Sequence, residues 1–361
     1  MPPPPQPRNS LIAEPTTMKL DDPIFDSMTA NDRDPPLLEA LRDQIAFMRG
    51  ANPFWRERLA NAAVDETKIT GPGDLARIPI LTKQELRSLR PVVLLPQNID
   101  SDIAIGRWTS GTSGRPTVNF WSTDDYAALV AVTARMLARQ APIQRPRVFN
   151  AYSQAHMTGP LYHAALSRLG AVVFDRSHHA EEIFPTSAQA ELFDFDALVA
   201  PSKAVRGKGI GLQTLLEEDP DFLSRHSVRW WIGSSGTFGP DTIASARCQG
   251  VEAISNLYGC SEFGLFAISC PSNPGDFHVA QGHVLVEVVD QDGVPVRDGQ
   301  FGRIVVTHLR GMDREGNSRR HGGTQILRLF AGDGATYLDD ACGCGLATPR
   351  LRNVRRLEKA D

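Results

Sequence analysis

Segments typical of β-strands alternate with segments typical of α-helices through the middle of this 361-residue chain. Apolar runs predict strands, and apolar residues repeating every three or four positions predict helices. The predicted strands are residues 118–121, 148–151, 171–174, 197–201 and 230–233, and the predicted helices are residues 122–139, 159–169 and 211–218. Because this order places helices on both faces of parallel strands, residues 101–275 are predicted to be an α/β core with a mostly parallel, doubly covered sheet. The wholly apolar segment 171–174 is expected to be a buried strand.

The region before this core divides into two parts. Residues 1–35 are rich in Pro, Asp, Thr and Asn, which favours a disordered or extended arm. From Pro36 onward apolar residues recur at helical spacing, so residues 36–100 are predicted to be a helical region. Thr82 followed by Glu85 is the pattern of a capping box and predicts that a further helix begins there.

The pattern changes again beyond residue 275. Residues 284–289 and 302–307 are typical of strands, and the turn-forming residues 290–293 follow the first of them. Residues 276–356 are therefore predicted to form a small antiparallel β-subdomain. Residues 311–324, which are rich in Gly, Arg, Ser and Asn, are predicted to be a polar loop.

Composition excludes several classes of partner. The net charge is −4, so no electrostatic attraction to nucleic acid or to anionic membranes is expected. The sequence contains no run of eighteen apolar residues and no secretory signal at Met1, so we expect a cytoplasmic protein without a membrane span. Five cysteines in a chain of this length do not indicate a disulfide scaffold.

Residues 109–116 form a loop rich in glycine and hydroxyl side chains. The loop consists of Thr109, Ser110, Gly111, Thr112, Ser113, Gly114, Arg115 and Pro116. Backbone N–H groups and hydroxyls in such a loop can surround a phosphate. The Lys-Ser/Thr pair of a P-loop is absent. The alternative reading is a flexible linker.

Three further segments follow apolar stretches and carry polar groups. They contain Gly233, Ser235 and Gly236 in the first, Asn256, Tyr258, Gly259, Ser261 and Glu262 in the second, and Asp333 in the third. Ligands of open α/β sheets bind beyond the carboxyl ends of strands. The alternatives are a packing aromatic for Tyr258, a helix-start carboxylate for Glu262 and an ordinary turn for Asp333.

These four motifs, in this order, resemble the adenylate-forming superfamily and more narrowly its phenylacetate–CoA ligase branch. The resemblance covers about residues 36–356 and includes segments 52–58 and 78–83. It implies a large adenylation N-terminal domain of the α/β class with a small antiparallel β-subdomain. It also implies an ATP-dependent, AMP-forming ligase.

The resemblance implies a role for each matching residue toward ATP and Mg²⁺. Thr109 and Glu262 would be catalytic, and Glu262 would hold Mg²⁺. Tyr258 would lie against the adenine, Ser261 near the α-phosphate and Asp333 at the ribose hydroxyls. The other implied nucleotide contacts are Ser110, Gly111, Thr112, Ser113, Gly114, Arg115, Ser235, Gly236, Asn256 and Gly259, with Arg350 as a candidate for the ribose or phosphate.

The acid-binding residues are less specific. The segment containing Tyr152 and His156 is similar to the family's aromatic segment that helps build the acyl site, and Gly233 would line the same site. His156 is either a hydrogen-bonding partner of the substrate or a structural histidine. Nothing in these residues identifies the acid.

Four metal-ligating residues occur in the last hundred positions. Cys270, His278, Cys342 and Cys344 are similar to a structural zinc centre that many members of this branch carry. Three thiolates and one imidazole complete a tetrahedral Zn²⁺ site without an open position. The alternative is a group of buried free thiols. Cys248 and Cys260 are interpreted as packing residues.

The sequence departs from the family at its end. Relatives carry a C-terminal lid domain that brings a lysine to the reacting carboxylate, and the sequence stops at Asp361. We therefore expect the lid to be absent and CoA thioester formation to be weak or absent. The adenylate would pass to an amine or to a partner enzyme, as in similar small enzymes of bacterial secondary metabolism.

Three functional hypotheses follow. The first is Mg-ATP-dependent activation of a small, aromatic carboxylic acid. The second is a diazotase that adenylates nitrite and diazotises an aryl amine. The third is a degenerate nucleotide-binding scaffold without catalysis. A homodimer is a further possibility for a protein of this kind.

Overall fold

The computed structural model describes residues 19–20, 22–97, 103–108, 117–177, 186–204, 210–236 and 238–357. Its helices are α1 (Ile24–Ser27), α2 (Ala30–Ala51), α3 (Pro53–Asn61), α4 (Lys83–Ser88), α5 (Thr123–Ala138), α6 (Thr158–Arg168), α7 (Thr186–Ala190), α8 (Leu212–Glu218), α9 (Phe222–Arg225) and α10 (Pro240–Cys248). Short 3₁₀ helices cover Glu66–Lys68, Pro72–Arg77 and Pro91–Leu94.

Its strands comprise β1 (Ile103–Trp108), β2 (Val118–Ser122), β3 (Arg147–Asn150), β4 (Val172–Asp175), β5 (Ala197–Val199), β6 (Trp230–Ser234), β7 (Ala253–Cys260), β8 (Gly264–Ser269), β9 (Asp276–Val279), β10 (Val284–Val289), β11 (Phe301–His308), β12 (Arg310–Met312), β13 (Ser318–Arg320), β14 (Leu329–Leu338) and β15 (Arg350–Arg356).

Within the described residues, eleven strands form one mixed sheet in the order β10-β11-β14-β15-β9-β8-β7-β6-β5-β3-β4. Strands β4, β3, β5, β6 and β7 pair in parallel. The pairings from β7 through β8, β9, β15, β14 and β11 to β10 are antiparallel. The α/β class is confirmed, and the strands predicted as a separate subdomain continue the same hydrogen-bonded sheet.

Strand β6 shows why the parallel half of the sheet is covered on both faces. All five of its residues are buried. Successive side chains of a strand point to opposite faces, so Trp230 packs in a cluster with Leu161 of α6, whereas Trp231 packs in another cluster with Leu212 of α8. An apolar strand of this kind requires a helix layer on each side.

Helix α5 begins where the sequence predicts. The Ser122 side chain accepts a hydrogen bond from the Asp125 backbone, and the Asp125 carboxylate accepts one from the Ser122 backbone, at 3.1 and 2.9 Å. This reciprocal pair satisfies two N–H groups that the first helical turn leaves free. The Asp125 carboxylate also accepts hydrogen bonds from the backbones of Gly322 and Gly323, which ties α5 to the segment that follows β13.

Two predictions from pattern are wrong. Strand β4 is not buried, since Val172 is 53% exposed and Phe174 is 42% exposed. In the strand order of the described residues β4 is the last strand and pairs only with β3, so it is an edge strand with side chains in contact with water. Residues 311–324 are not simply a polar loop, because β12 and β13 pair as an antiparallel hairpin within them.

The N-terminal boundary also differs from the prediction. Leu20 and Phe25 are buried, and they cluster with Ala128 of α5. Helix α2 begins at Ala30, six residues before the start of the predicted helical region at Pro36. The burial of these apolar side chains therefore attaches the chain to the fold before residue 36.

In the ranges that the structure describes, no helix combines the length and the apolar character needed to cross a bilayer.

Candidate functional site

A cavity of about 400 Å³ lies at the carboxyl ends of the parallel strands. Segments that follow β3 and β6 line it together with the end of β7, the middle of β14 and the end of β15. Of the residues predicted from the sequence, it brings together His156, Ser235, Gly236, Tyr258, Gly259, Ser261 and Asp333. Its apolar lining residues include four that belong to one hydrophobic cluster, Met157, Leu161, Leu257 and Leu265.

Tyr258, Asp333 and Arg356 form a hydrogen-bonded group in the lining of the cavity. The Tyr258 hydroxyl donates to Asp333 Oδ2 at 2.9 Å, and Arg356 Nη1 lies 3.3 Å from Asp333 Oδ1. Burial and the neighbouring Asp333 carboxylate raise the pKa of Tyr258 well above its usual value, so the phenol stays protonated and remains a donor. The arrangement fits a ribose hydroxyl donating to Asp333 beside an aromatic face.

Glu262 is a buried carboxylate just after β7. Its Oε2 atom lies 3.6 Å from Nζ of Lys83, the first residue of α4. Oε2 accepts no hydrogen bond from the described residues. A buried carboxylate oxygen without a hydrogen bond is costly and calls for a cation. Glu262 therefore fits the role of a magnesium ligand.

Burial lowers the pKa of Lys83, but the surrounding acidic groups, of which Glu262 contributes most, together outweigh it. The net effect is a pKa above the usual value, so Lys83 remains an ammonium. Burial, together with Glu262, also raises the pKa of the Cys260 thiol, which therefore stays neutral. The sequence analysis included Lys83 in a capping box and in the family-like segment 78–83, but assigned it no role.

The predicted phosphate loop, from Thr109 to Arg115 with Pro116, lies outside the described residues, as does Thr237. The strands on either side of it are described. Trp108 at the end of β1 pairs with Val118 at the start of β2. Asn119 donates from its amide to the Ser261 carbonyl at 3.3 Å, so this hairpin lies against the cavity wall at the end of β7.

Tyr152 lies behind the cavity rather than in its lining. The side chain is fully buried, and its hydroxyl donates to the Ser234 carbonyl and accepts from the Ser234 backbone N–H, both at 2.8 Å. Burial raises its pKa to about 12, so it stays protonated. Tyr152 thus holds the end of β6, where Ser235 begins the turn with a φ of 69°.

Gly233 and Asn256 also shape this turn. A Cβ at Gly233 would lie 2.3 Å from the Ala200 carbonyl oxygen, so only glycine allows β6 to approach the end of β5 this closely. The Asn256 amide donates to the Gly236 carbonyl at 3.2 Å. His156 lines the cavity, and its Nδ1 lies 3.1 Å from the Thr158 hydroxyl, which orients the imidazole.

The structure places Arg350 away from the cavity. Its guanidinium lies 3.0 Å from Asp276 of β9 and also contacts Asp340. Arg355 and Arg356, at the end of β15, line the cavity instead. A bulge separates them from Arg350, because Thr336 pairs with Arg352 but Gly334 pairs with Arg355. The extra residue on β15 shifts its alternation of faces, which the sequence pattern does not reveal.

The four metal-ligand candidates meet at one point. The ligand atoms of Cys270, His278, Cys342 and Cys344 all lie within 4.8 Å of one another. Cys344 Sγ is 3.2 Å from His278 Nε2, whereas His278 Nδ1 is 3.0 Å from the Thr348 hydroxyl. Burial lowers the pKa of His278 to about 4, so its imidazole is neutral. Three thiols and an imidazole oriented by a second partner fit tetrahedral zinc.

Comparisons with known proteins agree with this architecture. The chain is 30% identical over 329 residues to a phenylacetate–coenzyme A ligase of Thermus thermophilus. This alignment covers 87% of this chain and 67% of the relative. It is 28% identical over 275 residues to the Escherichia coli enzyme of the same name, covering 71% of this chain and 58% of the relative. The chain thus spans between 58% and 67% of the length of these curated relatives. No family model matches it.

Solved structures show the same fold. An open conformation of 2-hydroxyisobutyryl-CoA ligase, in complex with 2-HIB-AMP and CoA, superposes with a TM-score of 0.75 at 21% identity, over 91% of this chain and 76% of that one. The same ligase in its thioesterification state gives a TM-score of 0.76 at 20% identity, over 93% and 71%. On the identity and coverage of the Thermus relative, the chain belongs to the phenylacetate–coenzyme A ligase family of adenylate-forming enzymes, which are ATP-dependent, AMP-forming ligases.

Proposed function

We propose that this chain activates a small, aromatic carboxylic acid as an acyl-adenylate, with Mg-ATP as the second substrate. The cavity carries the proposal. Its lining combines the hydrogen-bonded group of Tyr258, Asp333 and Arg356, which suits a nucleoside, with a cluster of apolar side chains, which suits an aryl group. Its volume of about 400 Å³ lies in the size range of small-molecule sites. Relatives named phenylacetate–coenzyme A ligase support the same substrate class.

The chemistry requires positioning and charge neutralisation. An acid carboxylate attacks the α-phosphorus of ATP and expels pyrophosphate, so two anions must be brought together. Glu262 would hold Mg²⁺, which would offset phosphate charge when bound. Asp333 would accept hydrogen bonds from the ribose, and Ser261, on the cavity wall, would lie near the α-phosphate. Thr109 and the following loop would hold the β- and γ-phosphates, as the family resemblance implies.

A zinc ion at Cys270, His278, Cys342 and Cys344 is the second part of the proposal. The ligand set leaves no open position, so zinc would stabilise the fold and take no part in the reaction. It would join β9 to the segment before β15, which carries Arg356 to the cavity. The homodimer remains a prediction.

The test is pyrophosphate release from Mg-ATP across a panel of aryl acids, with nitrite plus an aryl amine as a further substrate pair. Release with an aryl acid that is lost in Glu262→Ala supports acid adenylation. Release only with nitrite and amine would make the protein a diazotase instead. ATP binding without release under any condition would favour a non-catalytic scaffold. Adding CoA or an amine to the same assay tests the weak thioester formation expected from the sequence.

A further inference from the structure

Two carboxylates beside the cavity each have one cationic partner from the chain itself. Lys83 pairs with Glu262 and Arg356 pairs with Asp333, at 3.6 and 3.3 Å. The charges of these four side chains cancel. The chain's own cations therefore neutralise Glu262 and Asp333, to which the family resemblance assigns Mg²⁺ and the ribose.

The two pairs differ in exposure. The Arg356 side chain is 42% exposed and can move into solvent, whereas the Lys83 side chain is 13% exposed and Glu262 is 5% exposed. A cation held in such a place needs a fixed backbone. Leu81, two positions before Lys83, fixes this backbone. It exchanges backbone hydrogen bonds of 2.9 Å with Arg328 and Phe330, at the start of the strand that carries Asp333.

The contact between Lys83 and Glu262 is a charge pair without a good hydrogen bond. A separation of 3.6 Å exceeds the usual N–H···O distance. Glu262 Oε2 is buried and accepts no hydrogen bond from any residue that the structure describes. This buried oxygen lacks a hydrogen-bond donor, so a divalent cation that approaches it more closely than Lys83 does would be bound in place of the ammonium.

We propose that Lys83 is the internal counter-ion of Glu262, and that it occupies the place of the divalent cation until Mg-ATP binds. With the metal bound, Lys83 would lose Glu262 as its partner. The inference rests on the proposed function, because it takes Glu262 as the magnesium ligand. It predicts that the nucleotide-free protein binds a divalent cation weakly at Glu262, since the cation must first displace an ammonium.

The experiment titrates Mn²⁺ alone, without nucleotide, against the full chain and follows free Mn²⁺ by electron paramagnetic resonance. The variants are Lys83→Met, Glu262→Gln and the double variant. Lys68→Met is the matched control, because the Lys68 side chain is 81% exposed and pairs with nearby Asp65. We expect Lys83→Met to tighten Mn²⁺ binding by about tenfold, a coupling of ordinary size between two ligands of one site. The gain should vanish in the double variant, and Lys68→Met should match the wild type.

Unchanged Mn²⁺ affinity in a folded Lys83→Met variant would overturn the inference, as would a gain that persists without Glu262. Lys83→Arg, which keeps the charge, should retain the weak binding of the wild type, and tight binding in that variant would also contradict the proposal. Pyrophosphate release separates this inference from the proposed function. If the wild type releases pyrophosphate but Lys83→Met does not change Mn²⁺ affinity, the proposed function is supported and the counter-ion role is not. If Mn²⁺ affinity changes but no pyrophosphate is released, the counter-ion role is supported and the proposed function is not.

Discussion

The cavity and the Cys/His cluster are both built from polar groups that the fold brings together, but they are completed in opposite ways. The cluster holds four ligand atoms within 4.8 Å, which is the full set that tetrahedral zinc needs. At the cavity, Glu262 and Asp333 each pair with one cation, Lys83 and Arg356, and Asp333 lines a space that has room for a ligand. A closed set of ligands favours a structural role, and an open set favours chemistry on a bound molecule.

The largest expected effect concerns the open site. Glu262→Gln removes the negative charge that would hold the metal and leaves Lys83 without its partner. We expect pyrophosphate release to fall about 100- to 1000-fold, similar to the loss of other electrostatic stabilisers of a transition state. Glu252→Gln, an exposed surface carboxylate paired with Arg229, is the control and should retain full activity. If the Glu262 variant released pyrophosphate at a rate within about threefold of the wild type, Glu262 would not be a metal ligand needed for the reaction.

The closed site should respond in stability rather than in activity. Cys342→Ser removes one of the four ligands, so bound zinc should be lost and the free energy of unfolding should fall by about 3 kcal/mol. The melting temperature should fall by roughly 5 °C or more. Metal analysis and thermal unfolding measure both quantities, with Cys248→Ser, an exposed thiol outside the cluster, as the control. Zinc retained at one equivalent in the Cys342 variant would contradict this assignment.

Asp333 distinguishes binding from chemistry within the cavity. Asp333→Asn keeps an acceptor for the Tyr258 hydroxyl but loses the charge that pairs with Arg356 and would accept from the ribose. We expect KM for ATP to rise about tenfold while kcat changes less, because a charged hydrogen bond contributes about 1.5–3 kcal/mol. Steady-state kinetics check the split, and Asp194→Asn, which is 93% exposed, is the control. An equal loss in kcat would instead place Asp333 among the reacting groups.

The smallest effect is expected behind the cavity. Tyr152→Phe removes the hydroxyl that bridges the backbone N–H and carbonyl of Ser234. The free energy of unfolding should fall by about 1–2 kcal/mol, because two buried backbone groups lose a partner. Denaturant unfolding measures the change, with Tyr126→Phe on α5 as the comparison. If stability were unchanged but KM for the acid rose, Tyr152 would contact substrate rather than support β6.

Much of the fold was predictable because its signals are local. The apolar strand at residues 230–233 and the helix predicted over residues 122–139 lie where the sequence pattern predicts them. Strand β4 shows the limit, since an apolar segment has the same pattern in the middle of a sheet and at its edge. Residues 20–25 show a second limit, because the burial of Leu20 and Phe25 depends on contacts with α5, more than a hundred residues away in the sequence.

By itself, the sequence determined which chemical groups are present, from Gly233 and Tyr258 to Asp333 and the four zinc-ligand candidates. Only the tertiary structure decided which cation meets which carboxylate. Lys83 and Glu262 are 179 positions apart, and a bulge in β15 sets Arg356 rather than Arg355 opposite Asp333. Local sequence sets backbone preferences over a few residues, whereas strand register and the packing of α4 against β14 follow from how the whole sheet is assembled.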